Sequence, residues 1–288
     1  MSSLTVAAAL AEARTLGIDR LDAQLLLSHV AAKPRTWVLA HDDAVLDAEA
    51  AAAWRRLAAR REHGEPLAYL LGAKEFHGLT LHVDASVLVP RPETELLVDC
   101  ALEILSGPGT DPRGVGHDPG TNPRVLDLGT GSGAIALALK TAWPAARICA
   151  SDRSAAALDV ARANAHRLGL DAEFRAGSWW TPWSGVRFDI VLSNPPYVAD
   201  GDPHLAALAH EPALALTAGR DGLEALRAII GGAAAHLERS GWLWLEHGFE
   251  QADAVQALLR AAGFSGVQTR RDFAGHPRCS GGRLDRSV

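Results

Sequence analysis

The chain has 288 residues and a formal net charge of −6, with a pI near 6.0. This length allows one large core or two domains, and the acidic balance argues against a protein that holds nucleic acid through its phosphates alone. No stretch reaches the roughly 18 apolar residues of a membrane span, and the start lacks the basic region of a signal peptide, so we expect a cytoplasmic protein without a membrane partner.

The first part of the chain predicts a bundle of amphipathic helices. Ala and Leu recur at helical spacing over residues 5–63, with polar residues between them. Pro34 marks a break between helices, and Gly64 and Pro66 close the pattern. We assign residues 1–66 to a helical domain that docks substrate, since this region offers no catalytic group of its own.

Residues 67–90 predict a β-hairpin linker. Residues 75–83 alternate apolar and polar side chains, with Gly78 near the turn. Pro92 or Thr94 then opens a helix, and residues 106–123, rich in Gly, Pro and Asp, predict a flexible surface loop.

The rest of the chain alternates strands and helices. This rhythm predicts an α/β fold with a mainly parallel sheet covered by helices on both faces. A last segment, 266–273 followed by 278–283, predicts an antiparallel edge. Cys100, Cys149 and Cys279 are widely separated, so we expect buried thiols and neither a disulfide framework nor a metal site. The predicted strands are 124–128, 147–150, 172–176, 189–193 and 242–246.

A glycine-rich loop follows the first of these strands. Gly129-Thr130-Gly131-Ser132-Gly133 ends an apolar run and precedes a helix. Glycines allow a ligand to approach the backbone, and parallel sheets bind ligands at the carboxyl ends of their strands. The spacing also fits Gly-x-Gly-x-x-Ala, so the loop alone leaves a dinucleotide site open.

Two acidic residues favour a different nucleoside ligand. Asp152 follows the second strand, where a carboxylate can accept hydrogen bonds from both ribose hydroxyls. Its alternative role is to cap the helix that begins near Ser154. Asp127, beside the glycines, would repel a pyrophosphate but tolerate a sulfonium, which favours S-adenosylmethionine.

A tryptophan doublet and a proline-containing loop complete the predicted site. Trp179-Trp180 follows the third strand and offers an indole to stack on adenine. Asn194-Pro195-Pro196-Tyr197 follows the fourth strand, and its two prolines make the loop stiff. Rigid carbonyl acceptors beside an Asn side chain and an aromatic ring suit a planar NH2 group.

In these motifs the chain resembles the peptide chain release factor N5-glutamine methyltransferases, the HemK-type family of class I S-adenosylmethionine-dependent methyltransferases. The resemblance includes the helical amino-terminal region and covers nearly the whole chain. Glu93 and Glu246 fall in matching motifs, although neither receives a defined role. The matching motifs are residues 90–95, 127–133, 152–154, 193–197 and 245–248.

The resemblance implies a Rossmann-like methyltransferase domain over residues 91–288. It implies S-adenosylmethionine as methyl donor and, as substrate and partner, the glutamine of the Gly-Gly-Gln motif in class 1 release factors. Asn194, Pro195, Pro196 and Tyr197 match the catalytic glutamine pocket. The matching cofactor residues are Gly129, Thr130, Gly131, Ser132, Gly133, Asp152, Trp179 and Asn194.

Three alternatives stay open from the residues. An enzyme of the same fold could methylate the N6 of adenine in DNA or RNA, with the base flipped into the Asn194 loop. The glycine spacing alone supports a nicotinamide-dependent oxidoreductase. A binding module without chemistry is the third, and intact Asn194 and Asp152 argue against it.

Overall fold

The computed structural model describes residues 4–106 and 122–284. The chain divides into two units, with the boundary between Lys74 and Glu75. Most of the loop predicted over 106–123 therefore lies outside the described residues.

The first unit is a helical bundle, as predicted. Hydroxyl and carboxylate side chains of Thr5, Asp19 and Asp47 cap three of its helices by accepting backbone N–H groups. Leu26 and Trp54 are fully buried in its apolar core. The described helices are α1 (Val6–Thr15), α2 (Arg20–Val30), α3 (Arg35–Ala40), α4 (Ala48–Glu62) and α5 (Leu67–Leu71).

The predicted linker 67–90 contains the hairpin but starts with a short helix that the sequence did not indicate. Residues 67–71 form α5 because Pro66 suits a helix start and Gly72, with φ of 64°, suits a left-handed end. The hairpin itself consists of β1 (Ala73–Phe76) and β2 (Leu79–His82). His77 and Gly78 both have positive φ, at 47° and 77°, as a tight type I′ turn requires.

The second unit contains a seven-stranded sheet in the order β5-β4-β3-β6-β7-β9-β8. Strands β3 to β7 are parallel, and β9 is antiparallel to both of its neighbours. The order reverses beside β3, which creates a crevice at the carboxyl ends of the strands. The strands are β3 (Arg124–Leu128), β4 (Arg147–Asp152), β5 (Glu173–Ala176), β6 (Phe188–Ser193), β7 (Leu237–Glu246), β8 (Phe264–Arg271) and β9 (Pro277–Leu284).

Helices cover both faces of this sheet. Ile190 and Leu192 of β6 enter one apolar core, whereas Val191 between them enters the other, because strand side chains alternate. This confirms the α/β prediction. No helix among the described residues is long and apolar enough to cross a membrane. The helices are α6 (Glu95–Ser106), α7 (Ala134–Ala142), α8 (Ala155–Leu168), α9 (Glu224–His236) and α10 (Ala252–Ala261).

The predicted antiparallel edge is only partly correct. Strand β9 lies inside the sheet, between β7 and β8, and only β8 forms the edge. Trp244 of β7 stands opposite Gly281 of β9, where a Cβ would lie 2.3 Å from the indole. Glycine is needed there so that the indole can lie across the strand. Cys100, Cys149 and Cys279 are buried and free, as expected.

Candidate active site

A cavity of about 550 Å³ opens at the carboxyl ends of β3, β4 and β6. Its volume is within the range of small-molecule sites. The wall contains residues from four of the predicted motifs together with the segment 212–219, which the sequence analysis did not single out. Site residues in the wall are Gly129, Thr130, Gly131, Ser132, Asp152, Trp179, Asn194 and Pro196.

The glycine loop turns sharply out of β3. The N–H groups of Gly129 and Thr130 both donate to the Ser151 carbonyl, at 2.8 and 3.0 Å. Gly129 and Gly131 have φ of 74° and 54°, a region that favours glycine, and a Cβ at Gly131 would meet nothing within 4 Å. The loop therefore borders the cavity with bare backbone.

Gly133 has a packing role, unlike the other glycines of the loop. It is the residue before α7, with φ of 83°, and it does not belong to the described cavity wall. A Cβ there would lie 3.1 Å from Leu137 and 3.3 Å from Ala161. Its missing side chain lets α7 pack closely against α8.

Asp127 is buried beneath the loop. Its Oδ2 accepts a hydrogen bond from the Thr130 hydroxyl at 2.6 Å, and its Oδ1 has no partner among the described side chains and backbone. Burial raises the pKa of Asp127 to about 7, although the Thr130 hydrogen bond opposes the shift. Asp127 thus braces the loop from below.

Asp152 faces the cavity from the end of β4. Its Oδ2 accepts the Gly131 N–H at 3.0 Å and its Oδ1 accepts the Ser154 N–H at 2.9 Å. Burial raises its pKa, and these backbone hydrogen bonds limit the shift. The cap of α8 is Ser154, whose hydroxyl accepts the Ala157 N–H, so the capping alternative for Asp152 is wrong.

The side chains of Trp179 and Trp180 lie in different surroundings. Trp179 lines the cavity, and its φ of 45° is unusual for a residue with a side chain. The Trp180 indole instead donates to the Ile229 carbonyl at 3.1 Å and stacks on His236 at 4.7 Å between ring centroids. Trp179 is therefore the better placed of the two to contact a ligand.

The Asn-Pro-Pro-Tyr loop contributes two of its four residues to the wall. Asn194 and Pro196 line the cavity, whereas Pro195 is buried and neither it nor Tyr197 is part of the described wall. The Asn194 Nδ2 donates to the Thr94 hydroxyl at 3.0 Å. The Tyr197 hydroxyl donates to Glu246 Oε1 at 3.1 Å, which holds the ring in one orientation.

Gln251 and Gly222 support this loop from behind. The Gln251 Nε2 donates to the Tyr197 carbonyl at 3.0 Å, and its Oε1 accepts the Gly248 N–H at 2.8 Å. At Gly222, with φ of 70°, a Cβ would lie 2.3 Å from the Tyr197 carbonyl oxygen. The backbone at Tyr197 is thus held by two elements that follow it in the chain.

The role of Glu211 was not predicted from the sequence. This buried carboxylate accepts the Val89 N–H at 3.0 Å and pairs with Arg91. It joins the segment 212–219, one wall of the cavity, to the Pro-Arg-Pro-Glu motif. The only signal in the sequence was a single acid among apolar residues, which does not reveal a partner 120 residues away.

Solved structures support the fold. The catalytic domain of human Mettl16, in complex with an RNA hairpin, aligns with a TM-score of 0.59 at 15% identity over 79% of this chain and 82% of that domain. The T. thermophilus 16S rRNA N2 G1207 methyltransferase, in complex with AdoMet and guanosine, aligns with a TM-score of 0.54 at 21% identity, over 74% of this chain and 50% of that one. At such identities the likeness concerns the fold alone.

Sequence relatives identify the family. Residues 4–72 match the PrmC N-terminal domain, and residues 117–217 match the methyltransferase small domain. The release factor glutamine methyltransferase of Bordetella pertussis is 49% identical over 93% of this chain and 96% of its own length, and that of Burkholderia pseudomallei is 48% identical over 94% of each. The chain belongs to the family of release factor glutamine methyltransferases.

Proposed function

We propose that this protein transfers a methyl group from S-adenosylmethionine to the side-chain amide nitrogen (N5) of the glutamine in the Gly-Gly-Gln motif of class 1 release factors. The observation that carries the proposal is one cavity that joins the Asp152 carboxylate and the glycine loop to the Asn194 carboxamide. Family membership supports methyl transfer over the nicotinamide oxidoreductase that the glycine spacing alone left open.

The cavity has the donor and acceptor groups that a sulfonium nucleoside requires. A carboxylate has about four lone-pair sites, and the Asp152 hydrogen bonds to backbone N–H groups do not use all of them, so acceptor capacity remains for ribose hydroxyls. The open backbone at Gly131 leaves room for the ligand, and the Trp179 ring offers a flat apolar surface for adenine. When bound, S-adenosylmethionine supplies an electrophilic methyl group.

The chain's own task is to orient the amide. An amide nitrogen is a weak nucleophile because its lone pair is delocalised into the carbonyl, so positioning matters more than a strong base. The Asn194 Oδ1, at the cavity wall, would accept an N–H group of the glutamine and direct its lone pair toward the donor. Tyr197, held by Glu246, would fix the plane of the amide. The surplus proton leaves to solvent after transfer.

Mass spectrometry of a release factor after incubation with this protein and isotopically labelled S-adenosylmethionine tests the proposal. We expect one labelled methyl group on the glutamine of the Gly-Gly-Gln motif. A release factor with Glu in place of that glutamine is the control, since a carboxylate offers no amide nitrogen. Label on DNA or RNA without label on the release factor would favour the N6-adenine alternative instead.

A further inference from the structure

Two buried polar residues, Thr94 and Glu246, lie next to Asn194 and extend the proposed function. The Asn194 Nδ2 donates to the Thr94 hydroxyl at 3.0 Å. Thr94 is 4% exposed and ends the short helical turn Pro92–Thr94, whereas Glu246 is 1% exposed and ends β7. The Thr94 hydroxyl also lowers the pKa of the Glu246 carboxyl, as a polar group beside its charged form does. Three elements distant in the chain thus meet at one side chain.

The chemistry of Thr94 and Glu246 determines which end of the Asn194 carboxamide faces Thr94. A carboxamide has a donor end and an acceptor end of similar shape, and a hydroxyl can either donate or accept, so Thr94 alone would not distinguish the two ends of Asn194. An ionised carboxylate only accepts. A Thr94 hydroxyl whose single proton points to Glu246 would offer its lone pairs to Asn194 and so select the Nδ2 end, which is the end that contacts Thr94.

We propose that Thr94 and Glu246 are positioning residues that hold the Asn194 carboxamide with its oxygen toward the substrate amide. The inference deepens the proposed function, since a glutamine NH2 group offers only donors and needs an acceptor. The reversed carboxamide would set N–H against N–H. The pair therefore determines whether the pocket accepts an amide at all.

The charge on Glu246 is sensitive to its surroundings. Burial raises the pKa of Glu246 to about 7, and its Oε2 has no hydrogen-bond partner in the described part of the chain. A protonated Glu246 can donate to Thr94 and release the constraint on Asn194. The groups that face Glu246 are Tyr197, which donates a hydrogen bond to it, Thr94 and Arg278, which lower its pKa, Glu93, which raises it, and Cys279, its neighbour on β9.

Thr94→Val is the direct test, because valine keeps the shape and removes the hydroxyl. We expect kcat to fall roughly tenfold or more, together with weaker binding of a Gly-Gly-Gln peptide to the enzyme saturated with S-adenosylhomocysteine. Affinity for S-adenosylhomocysteine itself, measured by calorimetry, should stay within about twofold of wild type. Thr94→Ser restores the hydroxyl and should recover most of kcat and of peptide affinity.

Glu246→Gln tests the carboxylate. In wild type, kcat and peptide affinity should rise with pH through about 7, as Glu246 loses its proton. In the variant, the pH dependence that Glu246 causes should disappear. Its kcat and peptide affinity should stay below the wild-type values at high pH. A Thr94→Val enzyme with wild-type kcat and peptide affinity, or a Glu246→Gln enzyme with the wild-type pH profile, would overturn the inference. A wild-type enzyme that leaves the release factor unmethylated would instead overturn the proposed function.

Discussion

At the scale of single residues, Asp152 shows how one side chain can serve both the loop and a ligand. Its two oxygens already accept N–H groups from Gly131, after β3, and from Ser154, after β4. The negative charge is therefore held in place before any ligand arrives. Preorganisation of this kind lowers the entropy lost on binding.

We expect Asp152→Ala to weaken S-adenosylmethionine binding about 10- to 100-fold, since hydrogen bonds to a charged group contribute about 1.5–3 kcal/mol. Isothermal titration calorimetry measures this directly. Asp159→Ala, at an exposed position on α8, is the matched control and should bind as wild type does. An Asp152→Ala protein with unchanged affinity would show that this carboxylate does not hold the nucleoside.

Asp127 gives the stability of the protein a pH dependence. Its pKa is about 7 in the folded chain against an ordinary value of 3.8, so between these values the unfolded chain loses the proton more readily. The free energy of unfolding should therefore fall as pH rises from about 4 to about 7. In Asp127→Asn this contribution is absent, and urea denaturation at pH 5 and pH 8 should show a smaller loss than in wild type.

The sequence allowed the side chains at strand ends to be predicted, because a polar residue after a buried strand is a local pattern. Asp152 and Asn194 were found in this way. Glu211 and Glu246 were not assigned roles, and Thr94 was considered only as a helix start, because their partners are remote. Thr94 and Asn194, for example, are 100 residues apart. Such pairings depend on how the sheet is assembled, which no local pattern encodes.

At the scale of elements, helix α9 explains why the tryptophan doublet was ambiguous in the sequence. A Cβ at Gly232 would lie 2.2 Å from the Trp180 ring, so the helix has a gap that accommodates this indole. Trp180 therefore packs on α9, and Trp179 faces the cavity. A doublet has no periodicity, so only the packing distinguishes its two members.

Two neighbouring glycines of α9 allow a matched experiment. Gly232→Ala should destabilise the protein by about 1–3 kcal/mol through the clash with Trp180. Gly231→Ala, where nothing lies within 4 Å, should stabilise it by up to about 1 kcal/mol through helix propensity. Chemical denaturation of both variants checks the difference. Equal effects would show that the indole moves without strain.

Gly222 connects the start of α9 to the Asn-Pro-Pro-Tyr loop. Gly222→Ala should lower kcat roughly tenfold or more, because the added Cβ displaces the Tyr197 carbonyl and with it the loop. Gly201→Ala is the control, since it shares a left-handed φ, at 80°, but has open space around it. It should lose some stability and keep its kcat. Steady-state kinetics that fail to separate the two variants would contradict this coupling.

At the scale of the whole molecule, the alternation of strands and helices was sufficient to predict the α/β fold. The position of β9 was not predicted, because insertion between β7 and β8 depends on pairing between strands that are not adjacent in the chain. Helix α5, at the start of the predicted linker, was not predicted either. A five-residue helix such as α5 has too few turns to show a periodicity.

The proposed docking role of the helical bundle can be tested by truncation. A chain that starts at Gly72 keeps both apolar cores of the second unit and should bind S-adenosylmethionine with wild-type affinity. It should methylate an intact release factor more slowly than the full chain does. A short Gly-Gly-Gln peptide should be methylated at similar rates by both. Full-rate methylation of the intact release factor by the truncated chain would remove the docking role.

The place of β9 in the sheet has a consequence for how the protein matures. Until β9 pairs with β7, β7 has an open apolar edge, and such edges promote aggregation. Glu246 and Cys279 are direct neighbours across this pairing, so water reaches Glu246 until the last strand arrives. Glu246, which orients Tyr197, is therefore enclosed only after β9 has joined the sheet, and we expect a chain that lacks β9 to be inactive.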